Sequence, residues 1–265
     1  KEPLVMYSHE SDVPRYERPD TPAAGDVSCG KTTDPNLIHK ARQLVARVYA
    51  ERGFIQRENI SDDGVIGERH DPDQHNADYY VVIDHEDDVI ATARTIRYED
   101  ARALDSFPLV RDHIEALDPA IVDDIENRYG WENVREISGL ARDRAADPKK
   151  LAATQLYKAM FLDAWKENDG NEQVFVMACN PNLRTSLLQL FGDSIQQMGP
   201  PLDYPGQPAE SVMFTTRAGA IETINRSKDK KNPYRKLHQQ VVEFFLHGPE
   251  ANTLDPHIVD ALRAN

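Results

Sequence analysis

The sequence predicts an α/β fold in which helices cover both faces of one mixed central sheet, and three observations carry that reading. Amphipathic helical stretches and strand-like runs alternate from about residue 34 to residue 217. In the run QVFVMAC (173–179) every residue after Gln173 is apolar, as a strand buried on both faces requires. DYYVVID (78–84) and VIATARTIRY (89–98) flank HEDD, the pattern of an antiparallel hairpin.

Composition sets the outer limits. The chain has 265 residues, 40% of them hydrophobic, enough for one large domain or two small ones. Its net charge of −14 argues against a general nucleic-acid binder, which needs a basic face for phosphates. No apolar run approaches the roughly 18 residues of a membrane span. KEPLVMYSHE has no hydrophobic signal core, and the absence of an initial Met implies numbering that starts inside a longer chain or after processing. Cys29 and Cys179 stand far apart in no metal or redox spacing, so free thiols in a bacterial-type cytoplasm are expected.

Taken in order, residues 1–33 carry four prolines and many charges without periodicity, and read as a flexible N-terminal arm. Asp34 then caps a helix with Pro35 at its first position. Leu37, Ile38, Ala41, Leu44, Val45, Val48 and Tyr49 form its apolar face, and Gly53 ends it. After the hairpin come two short helices, 108–117 and 119–128, then a strand over 133–142. Asp147-Pro148 opens a longer helix with Leu151, Ala152, Leu156, Ala159, Met160 and Trp165 spaced for burial. Strand 173–179 follows, then a helix opened by Asn180-Pro181, then one or two strands that include SVMFTTR. The domain is expected to span 34–217, with a helical C-terminal extension over 218–265 that includes YRKLHQQVVEFFLHG.

The strand VREISGLARD (134–143) carries the most chemistry. It sets Glu136 and Ser138 on one side and then breaks its packing with Gly139. A glycine in a strand marks a bulge or the close approach of another backbone. Here it predicts divergence from strand 173–179, leaving amides free for a pantetheine arm or a thioester oxygen. In the preceding hairpin, alternation places Ile90, Thr92, Arg94, Ile96 and Tyr98 on one face. A guanidinium on an apolar face needs a carboxylate, and Glu136 is the expected partner, in a pair that is either structural or catalytic. His70, Asp71, Asp73 and His75 match no metal-ligand spacing, so no metal is expected.

These residues resemble those of a known group. TAR in one strand, Phe107-Pro108 soon after, and REISGLARD in a later strand resemble the acyl-homoserine-lactone (autoinducer) synthases and the related N-acyl amino acid synthases. The similarity runs from about residue 40 to 215 and implies a GNAT-like fold. By position, Arg94 matches their buried strand arginine, and Glu136 and Ser138 match their E-x-S motif. Tyr80 matches a strand tyrosine, and the acidic stretch ERHDPD resembles their acidic cluster. Where the homoserine-lactone enzymes carry arginine after the serine, this chain has Gly139. Ordinary acetyl-CoA enzymes place a glycine-rich loop before the long helix. Here RDRAADPKK offers Arg142, Arg144, Lys149 and Lys150 instead, as donor-binding charge or as solvated surface. Lys230, Lys231 and Arg235 form a second basic stretch.

The resemblance implies an N-acyltransferase. It would move an acyl group from acyl carrier protein (through its phosphopantetheine) or from acyl-CoA, a co-substrate and not a permanent cofactor, to the amine of an amino acid. Glu136 would take the amine proton through a water, and backbone amides over Gly139, Leu140 and Ala141 would stabilise the oxyanion. Two alternatives stand beside it: an autoinducer synthase using S-adenosylmethionine, and a catalytically silent binding module.

Overall fold

The computed structural model describes residues 28–84, 86–100, 102–146, 173–181, 183–185, 195–202 and 211–216, together with positions 152, 156, 159, 160, 163 and 219. It contains three α-helices with full bounds, α1 (Pro35–Glu51), α2 (Pro108–His113) and α3 (Pro119–Arg128). Seven strands are present: β1 (Ser28–Thr32), β2 (Ala77–Ile83), β3 (Val89–Arg97), β4 (Val134–Arg142), β5 (Val174–Cys179), β6 (Ile195–Gln197) and β7 (Ser211–Thr216). They form a mixed sheet in the order β1-β2-β3-β4-β5-β7-β6. β1 falls within the stretch expected as arm, and β6 with β7 makes two late strands, within the one or two expected. β1 pairs antiparallel with β2 from Ser28 opposite Ile83 to Thr32 opposite Tyr79, so ordered structure begins before the first helix.

By compactness the chain divides into two units. The first holds residues up to Arg97 and Ile137–Asp163, and the second holds Tyr98–Glu136 and Ala164–Tyr204, with later segments shared between them. In the first unit α1 forms as its sequence dictates. Asp34 accepts a hydrogen bond from Asn36 N at 2.8 Å, and Pro35 occupies the first turn. Its apolar stripe, Ala41, Leu44 and Val48, packs against Tyr79, Val81 and Ile83 of β2, with Ala141 of β4 beside them. Ala152, Leu156, Ala159, Met160 and Asp163 are buried helical positions, and Asp163 meets Tyr80. Tyr79 and Tyr80 are consecutive in a strand and point to opposite faces. Helical residues therefore cover both faces of this unit's strands.

Two irregularities decide which side chains share a face. Ile83 pairs with Val89 but Val82 with Ala91, so Ile90 is an extra residue in the hairpin. That bulge puts Tyr79, not Tyr80, opposite Arg94. On β4, Ser138 touches Arg94 while Ala141 packs with α1, although the two are an odd number of residues apart. Gly139 lies between them with φ +59°, the left-handed turn that resets the alternation. The irregularity expected at that glycine takes the form of this positive φ.

The second unit has its own core of Phe107, Val110, Ile125, Trp131, Val134, Val174, Val176 and Phe214. Phe107 is fully buried between Tyr98 and Trp131, at centroid distances of 6.4 and 6.0 Å. Asp118 caps α3 through Ala120 N, and Asn180 accepts from Leu183 N at 3.0 Å in the capping role read from its sequence.

Candidate functional site

The first unit contains a cavity of about 670 Å³. Its wall is built from α1 (Arg42, Val45, Tyr49), the segment after it (Gly53, Phe54, Ile55, Gln56, Asn59), Ile66, His70 and Asp71, and the strand residues Tyr79, Arg94, Ser138 and Gly139. The end of α1 shapes one side. Gly53 takes φ +74°, its N–H bonds Ala50 O, and Phe54 N bonds Tyr49 O at 2.8 Å, the two hydrogen bonds of a Schellman stop. The stop folds Phe54 back so that its ring meets Tyr49 edge-on at 5.2 Å. A helix terminator thus supplies an aromatic wall.

The polar corner is centred on Arg94. Its Nε donates to Ser138 Oγ at 2.8 Å and its Nη1 to Asp71 Oδ2 at 2.8 Å. The Arg94 and Asp71 side chains are only 14% and 16% exposed, so most of each charge is withdrawn from water. Burial pulls the guanidinium pKa down, but the hydrogen bond and charge of Asp71 outweigh it and hold it above its ordinary value. Asp71 is fixed locally: His70 N and Asp71 N both bond Gly67 O, and the following Pro72 starts a short 3₁₀ turn. Tyr79 stands across the strand pair from Arg94 and donates its hydroxyl to Gln74 O at 3.0 Å. Burial pushes the Tyr79 phenol pKa up, and the neighbouring Arg94 offsets part of that.

Gly139 completes the corner by what it lacks. A Cβ there would lie 3.3 Å from Arg94 Cγ and 3.5 Å from its Cδ, so the arginine side chain runs across the glycine to reach its partners.

The expected Arg94–Glu136 pair is therefore corrected: the carboxylate that meets Arg94 is Asp71. Glu136 is 4% exposed and accepts a hydrogen bond from Leu109 N at 2.9 Å, at the first turn of α2. It fixes the Phe107-Pro108 turn in the second unit. Tyr80 does not line this cavity. Its hydroxyl donates to Asp163 Oδ2 at 2.5 Å, on the face away from the cavity, and Lys31 joins the same oxygen at 3.3 Å. Strand alternation counted through an unbroken hairpin pairs Arg94 with the Tyr80 face, and only the bulge at Ile90 reverses that parity. Asp71 stood in the acidic stretch without an assigned partner, because a loop gives no register from which to find one.

Arg142 is half-exposed and Arg144 exposed, while Leu140 and Ala141 lie in β4 after Gly139. Lys149, Lys150, Lys230, Lys231 and Arg235 lie outside the described residues, as does most of the longer helix. No group of three metal-ligating side chains occurs among the described residues. No described helix is long and apolar enough to cross a membrane.

BjaI, a CoA-dependent acyl-homoserine lactone synthase solved with SAM and isopentyl-CoA, superimposes on 76% of this chain and 89% of its own, with TM-score 0.53 and 11% identity. TofI, solved in a ternary complex with an inhibitor and MTA, matches 74% of this chain and 95% of its own, at TM-score 0.50 and 13% identity. The chain has the GNAT-like fold. FeeM, an N-acyl amino acid synthase from uncultured soil microbes, covers 72% of this chain and 90% of its own at TM-score 0.49 and 17% identity. No protein-family model and no curated protein matches the chain. At these identities the likeness is one of fold, so chemistry must be argued from the cavity.

Proposed function

We propose that the protein is an N-acyltransferase that moves an acyl group from a carrier-protein or CoA thioester to the amine of an amino acid held in the first unit's cavity. The observation that carries this reading is the Asp71–Arg94–Ser138 corner, a carboxylate, a cation and a hydroxyl facing a half-open cavity whose wall mixes polar and apolar side chains. Enzymes that acylate an amine need a proton acceptor at the nucleophile and donors for the oxyanion.

In this proposal the amine sits beside Asp71, which accepts its proton as the nitrogen attacks the thioester carbonyl. The thiolate leaves and is protonated. Arg94 orients Asp71 and Ser138, and Ser138 Oγ–H remains available to a substrate oxygen while its lone pair accepts from Arg94. Backbone amides over Gly139, Leu140 and Ala141 are assigned to the oxyanion, a role that suits the irregular backbone at Gly139. The proton goes to Asp71 rather than Glu136 because Asp71 lines the cavity and Glu136 is engaged with Leu109 N. Arg142 and Arg144, with Lys149 and Lys150, are assigned to the donor's phosphate.

The test is direct. The protein is incubated with palmitoyl thioesters of carrier protein and of CoA, together with a pool of the twenty amino acids, and products are read by mass. An N-acyl amino acid that disappears with Arg94→Ala supports the reading. Acyl-homoserine lactone formed only when S-adenosylmethionine is added would transfer the chain to the autoinducer class.

A further inference from the structure

Arg42 and Arg94 both line the cavity, and their circumstances differ. Arg94 is paired with Ser138 and Asp71. Arg42, on the middle turns of α1, is half-buried and makes no hydrogen bond or ion pair with any described residue. Its charge is felt at Tyr79 and at Asp63, an exposed carboxylate that accepts from Ser61 Oγ at 2.5 Å and makes no ion pair with Arg42. Among the described residues Asp71 is the single carboxylate in the cavity wall, and Arg94 already holds it. Two guanidiniums and one carboxylate leave the described lining with an excess positive charge.

A guanidinium partly withdrawn from water and left without an acceptor favours an anion from outside. Arginine offers a planar fork of donors that matches a carboxylate in two parallel hydrogen bonds. Beside it stand Val45 and Tyr49 of the same helix and Ile66, apolar surface that would strengthen such a contact by excluding water.

We infer that Arg42 binds the carboxylate of the acceptor, and so is the residue by which this site selects amino acids over amines without an acid group. The inference rests on the acceptor occupying this cavity, as proposed above. The zwitterion then lies with its amine at Asp71 and its carboxylate at Arg42. Each end of the substrate meets its opposite charge.

The experiment compares the amino acid that the wild-type protein acylates fastest from the pool with the primary amide of that same amino acid. The amide keeps the amine and side chain and loses only the anion. The wild-type protein should prefer the acid by roughly tenfold or more in kcat/KM, carried mainly by KM. Arg42→Gln should bring the ratio of acid to amide close to one, and Arg42→Lys should fall between. Glutamine is a good helix former, and circular dichroism checks that α1 persists. If Arg42→Gln acylates the acid as selectively as wild type, the inference fails while the acyltransferase reading stands. If wild type acylates no amine, that reading fails, and calorimetric titration with L-leucine and L-leucinamide then decides Arg42 separately. Arg42-dependent binding of the acid alone supports the carboxylate site, and equal or absent binding overturns it. Inorganic phosphate competing more strongly than L-leucine would assign Arg42 to a phosphate and overturn it too.

Discussion

The two faces of strand β2 carry two polar clusters, and they differ in completeness. On one face Tyr80, Asp163, Lys31, Asp78 and Arg97 form a closed chain of contacts: Tyr80 to Asp163, Lys31 to Asp163 and Asp78, and Arg97 to Asp78 at 2.6 Å. On the other, Tyr79, Arg94, Asp71 and Ser138 border open space, with Arg42 unpaired among the described residues. Both contain a tyrosine, a carboxylate and a cation on neighbouring elements. Residue types therefore do not separate a structural network from a candidate site. The separation comes from what each cluster leaves unsatisfied and whether there is room for a ligand to satisfy it.

The largest effect should come from breaking the open cluster. Arg94→Ala leaves Asp71 largely buried without its cation, which is expected to cost about 3 kcal/mol of stability and to abolish acyl transfer. Chemical denaturation and turnover on the same preparation check both. If Arg94→Ala kept wild-type stability and turnover, Arg94 would organise nothing.

Gly139→Ala should come next. It forces a side chain into a φ of +59°, a strain of about 1–2 kcal/mol, and sets a Cβ against Arg94. Because Arg94 must shift to relieve the contact, activity should fall more than the stability loss explains. A variant with reduced thermal stability but unchanged kcat/KM would confine Gly139 to the backbone.

The tyrosine pair sharpens the contrast with a single oxygen atom on each face. Tyr80→Phe removes a buried hydroxyl from the closed network and should cost about 1 kcal/mol with turnover retained. Tyr79→Phe should act mainly on KM, since its ring and hydroxyl flank Arg94. The reverse pattern would move the site to the other face.

The smallest effect is alkaline. Burial raises both phenol pKa values above the ordinary 10.0, with Asp163 adding to the rise at Tyr80. The folded state therefore keeps those protons after the unfolded chain has lost them. Their contribution is fully present below pH 10 and is lost as pH rises above it, with a slope of up to about 1.4 kcal/mol per pH unit for each tyrosine. Denaturant midpoints from pH 9 to 11 should decline in wild type and less steeply in Tyr80→Phe. Parallel slopes would mean that Tyr80 is not protected.

Much of this architecture is written in local patterns. The Asp34-Pro35 start and Gly53 stop of α1, the alternating hairpin and the all-apolar β5 each follow from residue spacing, and each is present. Gly139 announced an irregular backbone because a glycine inside a strand leaves its packing position empty, and here it takes a positive φ. The partner of Arg94 was less legible. One extra residue, Ile90, reverses the parity of the hairpin, and no side chain in VIATARTIRY marks which residue is extra. Asp71 comes from a loop whose path depends on the turn at Gly67 and on Pro72, so its distance to Arg94 exists only in three dimensions. β1 was hidden for another reason: SCGKT is short and polar, and an edge strand needs only one neighbour.

The central claim is that acyl transfer occurs at the open cluster and not at the closed one. Single-turnover transfer from a palmitoyl thioester to the amino-acid pool, read by mass, tests it with two matched variants, Asp71→Asn and Asp163→Asn. Each removes one charge from a carboxylate bonded to a neighbouring donor. With rates normalised to folded protein, Asp71→Asn should slow transfer by roughly 100-fold or more while Asp163→Asn stays close to wild type. Equal losses in the two variants, or a greater loss in Asp163→Asn, would contradict the account.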